Sequence, residues 1–205
     1  MNQILKKMRK IYIYYIIVTI TIYLFSISTL FGQEKKIFKI DLKKEIGSTT
    51  WIYIQKGFLA ANEAKADAIL IHMNTYGGEV MYADSIRTKI LNSKLPVYVF
   101  VDNNAASAGA LIAIACDKIY MRPGGNIGAA TVVNEKSERM PDKYQSYMRS
   151  MMRATAESQG KDTLVNGTDT TYSWKRNPLI AEAMVDDKTV IPEIVDSGKR
   201  LLLLH

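Results

Sequence analysis

Two runs, Ala68–Met73 (AILIHM) and Pro96–Val101 (PVYVFV), are apolar almost throughout, and they limit the fold more than any other feature. A strand with one wet face alternates apolar and polar residues, whereas a strand buried on both faces does not, and such strands belong to parallel sheets covered by helices. Gly77-Gly78 ends the stretch after the first run. Glu79–Asn92 then carries Val80, Met81, Ile86, Ile90 and Leu91 at helical spacing, with Arg87 and Lys89 toward solvent. Ile37–Leu42 reads as an earlier strand, Ser48 or Thr49 as the cap of a helix reaching about Lys65, and Lys118–Met121 as a further short strand. Strands and helices alternating in this way predict βαβ units and a largely parallel sheet.

Ala105–Cys116 (AASAGALIAIAC) is small and apolar on every side, which predicts a helix buried in the middle of the domain. Pro123–Gly128 (PGGNIG) is a turn where backbone can approach a neighbour closely. Pro141–Gln159 reads as one long helix. Proline suits its first turn and Gly160 its stop, and Tyr144, Tyr147, Met148, Met151, Met152 and Thr155 are expected on one face. Asp162–Tyr172 is rich in Thr, Gly and Asp and is expected to be a surface loop.

Lys6, Lys7, Arg9 and Lys10 precede Ile11–Phe31, a stretch of 21 residues without a charge. Basic residues ahead of an uncharged run able to cross about 30 Å of hydrocarbon predict an export signal or membrane anchor over residues 1–32. Cleavage after Gly32 suits the small residues nearby, although Leu30 is bulky for such a site. The cations stay cytoplasmic, so the domain over residues 36–205 is expected on the extracytoplasmic, periplasmic side of the inner membrane.

The same segment disposes of a nucleic-acid partner. The net charge is +7, and residues 1–44 hold nine cations against two acids, leaving 18 of each sign in the remainder. A neutral body offers phosphate no basic face. One cysteine, Cys116, excludes an internal disulfide and a Cys-based metal site, and two histidines, His72 and His205, make no cluster. No metal or other cofactor is expected.

Two places depart from ordinary packing logic. Ser107 stands among Ala105, Ala106, Ala108 and Gly109 where an apolar strand gives way to the buried helix. A hydroxyl there faces free N–H groups and the positive end of the helix dipole, a setting for a nucleophile, although the commonest use of such a serine is a simple cap. Gly77 and Gly78 form the second place. Glycine pairs let N–H groups point into a cleft, where with the N–H of Ala108 they would make an oxyanion hole. A serine nucleophile needs a base, and neither histidine suits: His72 lies on an apolar strand as a core residue, and His205 is the last residue given. Lysine serves when its pKa falls from about 10.4 toward neutrality. Lys118, Lys136 and Lys143 are the candidates. Lys143 is the best of them, because the first turn of a helix disfavours its ammonium form.

With these residues in view, ADAILIHMNTYGG, LPVYVFVDNNAASAGALIAIACDKIYMRPGGNIGAA and RNPLIAEAMVD together resemble the membrane-bound NfeD-type serine proteases of the ClpP class. Their landmarks are D-T-P-G-G, A-S-A-G and S-I-G-A, in this order. The resemblance covers nearly all of the chain after Lys36. It implies a ClpP/crotonase-like α/β spiral of stacked ββα units, behind an N-terminal signal or transmembrane segment. It also implies that Ser107 is the nucleophile, that Lys143 is the base, and that Gly77, Gly78 and Ala108 frame the oxyanion hole.

The activity the resemblance implies is a serine endopeptidase with a Ser/Lys dyad. Its substrate is a hydrophobic segment of a membrane protein such as a stomatin- or prohibitin-like partner, and the enzyme is a homodimer or higher homo-oligomer. Three departures stand out. Tyr76 replaces the usual proline, Asp162–Ser173 looks inserted, and relatives continue past the Leu201–Leu204 run, so the C-terminal end of the domain reads as truncated. The rival readings are an inactive ClpP-like scaffold that binds a membrane partner and a crotonase-type acyl-CoA enzyme. Export and the lack of a basic nucleotide site speak against the latter.

Overall fold

The structure is a computed structural model that describes residues 2–28, 34–166, 169–186, 188, 189 and 191. It divides into two units, residues 1–35 and 36–205. The first is a single helix, α1 (Asn2–Ser28), whose side chains are described from Leu5 to Tyr23. Among the described residues no helix is long and apolar enough to cross a membrane, so the spanning segment expected from the sequence is not met there. Within α1 the four cations Lys6, Lys7, Arg9 and Lys10 precede an uncharged stretch that continues to the end of the helix at Ser28. Leu30, Phe31 and Gly32, and with them the expected cleavage point, lie outside the described residues. The Leu201–Leu204 run does too.

The second unit begins with β1 (Ile37–Leu42), α2 (Ser48–Glu63), β2 (Ala68–Thr75), α3 (Val80–Leu91) and β3 (Val97–Ala106). It continues through α4 (Ala108–Ala115), β4 (Lys118–Met121), β5 (Asn126–Gly128) and α5 (Asp142–Ser158). The hairpin β6 (Lys161–Asn166) and β7 (Asp169–Trp174) and the short α6 (Pro178–Ala183) follow. Strands β1, β2, β3 and β4 pair in that order, all parallel, and β5 pairs with the far end of β3. The expected α/β fold with a parallel sheet is therefore present.

Register explains why the apolar runs are so uniform. Ile40, Ile71, Val99 and Ile119 lie side by side, as do Leu42, Met73, Val101 and Met121, and most of these side chains are fully buried. Each buried Ile, Leu or Val stabilises the fold by roughly 1.5–3 kcal/mol relative to exposure. The opposite face of the same strands is only half-buried. It carries His72 between Asp41 (Nδ1–Oδ1 2.8 Å) and Asp102 (Nε2–Oδ2 3.6 Å), so this histidine is not the core residue the apolar run suggested. Hydrogen bonds from Lys39 and His72 hold the Asp41 carboxyl below its usual range against the opposing effect of desolvation.

Strand β3 serves two sheet neighbours in succession. Its first half pairs with β4, and Asn104–Ala106 pairs with β5. Between Met73 and Thr75 the register with β2 shifts, because β3 spends four residues where β2 spends two. Asn104 bridges the resulting gap: its N and Nδ2 donate to Asn74 Oδ1, both at 3.2 Å, and its Oδ1 accepts from Asn126 Nδ2 at 2.9 Å. The strand thus runs to Ala106, further than the sequence suggested, and the buried helix starts later, at Ala108. All eight residues of α4 are buried.

Two other expectations change. The inner face of α5 is Gln145, Met148, Met151, Met152, Thr155 and Ala156, while Tyr144 and Tyr147 are exposed. Residues 161–166 and 169–174 pair as two antiparallel strands rather than a loop, with Lys161 opposite Trp174 and Asn166 opposite Asp169. β-branched and aromatic residues (Thr163, Val165, Thr170, Thr171, Tyr172, Trp174) flanking Asn166-Gly167 supply the strand propensity that a count of polar residues hides.

Candidate active site

Ser107 alone makes the turn between β3 and α4. Its backbone sits at φ 53°, ψ −119°, a region that non-glycine residues occupy only when their surroundings force it. Two bonds hold it there: its N–H donates to the Gly128 carbonyl at 2.8 Å, and its carbonyl accepts from the Ala110 N–H at 2.9 Å. The PGGNIG turn is therefore the backbone that approaches the serine closely. Gly109 is required by contact on the other side, since a Cβ there would lie 2.7 Å from Thr75 Cγ2. The Ser107 side chain makes no cap hydrogen bond to the helix, which excludes the simple capping role.

Gly77 packs directly on this turn. A Cβ on it would stand 2.7 Å from Ser107 Cβ and 3.2 Å from Ser107 Oγ, and its φ of 113° favours glycine independently. Its N–H is taken by Thr75 Oγ1 at 3.2 Å, so its part in the site is to leave space. Gly78 (φ 145°) is bridged to Ile46: Ile46 N donates to Gly77 O and Glu79 N donates to Ile46 O, both at 2.8 Å. A Cβ at Gly78 would be 2.2 Å from Ile46 O. These bonds fix the turn without using the Gly78 N–H. The Ala108 N–H, as the first amide of α4, has no acceptor a turn earlier. Ser107, Gly77, Gly78 and Ala108 are thus assembled at one point.

Lys143, the second residue of α5, is exposed, and its Nζ lies 4.9 Å from the centre of the Tyr144 ring, a cation–π contact. Among the described residues no hydrogen bond joins it to Ser107. It lines a largely apolar groove of about 590 Å³ together with Val80, Met81, Val132, Tyr144 and Tyr147. Val80 opens α3 two residues after Gly78, so the groove adjoins the glycine turn. Lys118 lies at the start of β4 beside Pro96 and Ser158, and Lys136 sits exposed in a tight loop held by Asn134, so neither shares this groove.

Gln145 is a residue that the sequence did not bring forward. It is fully buried, its Nε2 donates to the carbonyls of Val132 (2.7 Å) and Met140 (3.0 Å), and its Oε1 accepts from Val132 N (2.9 Å). These bonds clamp the 132–140 segment, one wall of the groove, to the first turn of α5. Its signal was a polar side chain at i−3 and i−7 from Met148 and Met152 on a buried stripe. Tyr76, by contrast, is 82% exposed beside the glycine turn.

Comparison with known proteins follows these landmarks. Membrane protein NfeD1b of Bacillus subtilis (strain 168) is 32% identical over 131 residues, covering 64% of this chain and 30% of that protein. Membrane-bound protease PH1510 of Pyrococcus horikoshii is 28% identical over 137 residues, 63% of this chain and 31% of that one. The chain thus spans about a third of these relatives' length. The solved 1510-N membrane-bound stomatin-specific protease, in a variant with a serine replaced by alanine, superposes with a TM-score of 0.64 at 26% identity, over 82% of this chain and 78% of that one. A lysine-to-alanine variant of 1510-N, solved with a substrate peptide, gives the same score and identity and covers 74% of that chain. Residues 36–168 match the NfeD1b N-terminal domain, and the chain belongs to that family.

Proposed function

We propose that this chain is a membrane-associated serine endopeptidase in which Ser107 is the nucleophile and Lys143 the base. The observation that carries the reading is the strained, uncapped turn at Ser107, packed against a glycine with no room for a side chain. Strain of this kind, of order 1–3 kcal/mol, persists where function uses it. Lys143 takes the Ser107 proton, Oγ attacks a peptide carbonyl, and the N–H groups of Gly78 and Ala108 receive the oxyanion. The proton passes to the leaving amine, and water then releases the acyl group from Ser107. For this cycle Lys143 must leave the Tyr144 ring and reach the serine when substrate fills the groove.

The apolar groove beside Lys143 supports a hydrophobic peptide segment as substrate. The stomatin specificity named for 1510-N makes a stomatin-like membrane protein the first to try. We place the chain at a membrane through its N-terminal segment, with the domain on the extracytoplasmic side and assembled as a homo-oligomer. NfeD1b and PH1510 are both named as membrane proteins, and basic Lys6–Lys10 precede the uncharged run. A non-catalytic scaffold is the second reading, favoured by the missing Ser107–Lys143 hydrogen bond. Incubating the full chain in detergent with apolar peptides separates the two. The protease reading expects cleavage that disappears in both Ser107→Ala and Lys143→Ala; peptide binding without cleavage by the unaltered protein supports the scaffold.

A further inference from the structure

The β6–β7 hairpin is closed at its base, where Lys175 N donates to Gly160 O at 3.1 Å. Its described side chains are exposed on both strands. Two strands alone are marginal in water and gain stability from a surface to rest on. Register sorts its side chains into two unlike faces, because residues opposite each other and residues two apart point the same way. Lys161 with Trp174 and Thr163 with Tyr172 make one face; Asp162 with Ser173 begins the other. On the first face Lys161 Nζ lies 4.3 Å from the Trp174 ring centre, and Tyr172 is 68% exposed.

The hairpin's position in the sheet names the occupant. Gln159, next to the hairpin, donates to the Ala115 carbonyl at the end of α4, and Arg176 donates to the Cys116 carbonyl. Cys116 leads into the start of β4, beside the start of β3, where Val97 N donates to Asp117 Oδ2 at 2.7 Å. The hairpin therefore stands at the end of the sheet where the parallel strands begin. Ser107, Gly78 and Lys143 lie at the opposite ends of β3, β2 and α5. The chain also comes into the domain at the strand-starting end: Lys36 N donates to Asp67 Oδ2 at 2.7 Å, ahead of β1 and β2.

We infer that the Lys161/Tyr172/Trp174 face of the hairpin rests in the headgroup region of an anionic phospholipid membrane and turns the active site away from it. The inference rests on the membrane attachment proposed above. Tyr and Trp rings with a polar edge favour the membrane–water boundary over either bulk phase, and lysines meet anionic headgroups. Lys161 and Lys175 flank the rings. Lysine is depleted at interfaces between protein copies, and this face carries Lys161 with a single aliphatic position, Val165 opposite Thr170.

The chain has two tryptophans, so Trp51→Phe leaves Trp174 as the sole reporter. The full-length Trp51→Phe protein is reconstituted into vesicles of phosphatidylcholine and phosphatidylglycerol, floated on a density gradient, and examined with headgroup spin-labelled lipid and aqueous acrylamide. The expected result is co-flotation, a blue shift of Trp174 emission, loss of intensity to the labelled lipid and loss of acrylamide quenching. A second variant moves the reporter to the other face (Trp51→Phe, Trp174→Phe, Ser173→Trp), where acrylamide quenches and the lipid label does not. Co-flotation with Trp174 fully open to acrylamide overturns the hairpin inference and leaves membrane attachment standing. Shielding from acrylamide without lipid quenching, rising with protein concentration, overturns it in favour of self-association. Protein that does not float overturns both.

Discussion

A side-chain carbon on Gly77 would fall 2.7 Å from Cβ of Ser107. No rotamer of the serine removes that clash, since both atoms are fixed by the backbone, and φ of 113° adds a penalty of its own. Gly77→Ala is expected to destabilise the domain by roughly 1–3 kcal/mol and to abolish cleavage. Gly124, whose Cβ would meet nothing within 4 Å, is the control that shares positive φ without the contact. Urea melts and a cleavage assay on Gly77→Ala and Gly124→Ala check this. Retained activity in Gly77→Ala would contradict the placement of the turn.

Ser107→Gly tests whether the strain is real. Glycine accepts φ 53°, ψ −119° readily, and no cap bond is lost with the hydroxyl. The variant is expected to be inactive and as stable as the parent, or more stable by about 1 kcal/mol, despite the usual entropic cost of glycine. Equilibrium unfolding settles the sign; a clear loss of stability would show that the turn is relaxed.

Gln145→Leu removes three hydrogen bonds while keeping the volume on the inner face of α5. The polar groups of Val132 and Met140 lose their partner, at a cost of roughly 2–4 kcal/mol. The 132–140 segment should exchange its amide hydrogens faster, and KM should rise more than kcat falls. Unchanged exchange in that segment would remove the clamp from the account.

How much of this was legible in the sequence follows from which residues answer to local rules. The parallel sheet was, because strands with one fully buried and one half-buried face leave AILIHM and PVYVFV apolar almost throughout. Ser107 and the two glycines were also legible, since each violates a local preference: a hydroxyl among alanines, and paired glycines ending a strand. The extension of β3 to Ala106 was not, because it depends on Asn74, Asn104 and Asn126 meeting across three strands. Gln145 looked like any polar helix residue until the carbonyls of Val132 and Met140 were known. Tyr144 and Tyr147 were placed on one face with Met148, Met151 and Met152 by period alone, and they line the open groove beside Lys143 instead of joining the buried face.

Burial pushes the Cys116 thiol well above the ordinary thiol range, with the nearby Arg176 only partly opposing it. The folded protein therefore keeps this proton where the unfolded chain loses it. The stability that this thiol contributes is complete below the unfolded value of 9.0 and declines as pH rises above it. The slope is at most about 1.4 kcal/mol per pH unit. Urea melts from pH 8 to 11 should show that extra slope in the parent and lack it in Cys116→Ala, and iodoacetamide should label the thiol only after unfolding.

The most direct test of the central claim is intact-mass and peptide-mass measurement after treating the full chain with a fluorophosphonate, which phosphonylates an activated serine. One adduct at Ser107 is predicted, absent in Ser107→Ala and strongly slowed at neutral pH in Lys143→Ala, with the rate rising as the base loses its proton. Folded protein that gains no adduct, or gains it equally without Lys143, would contradict a Ser107/Lys143 active site.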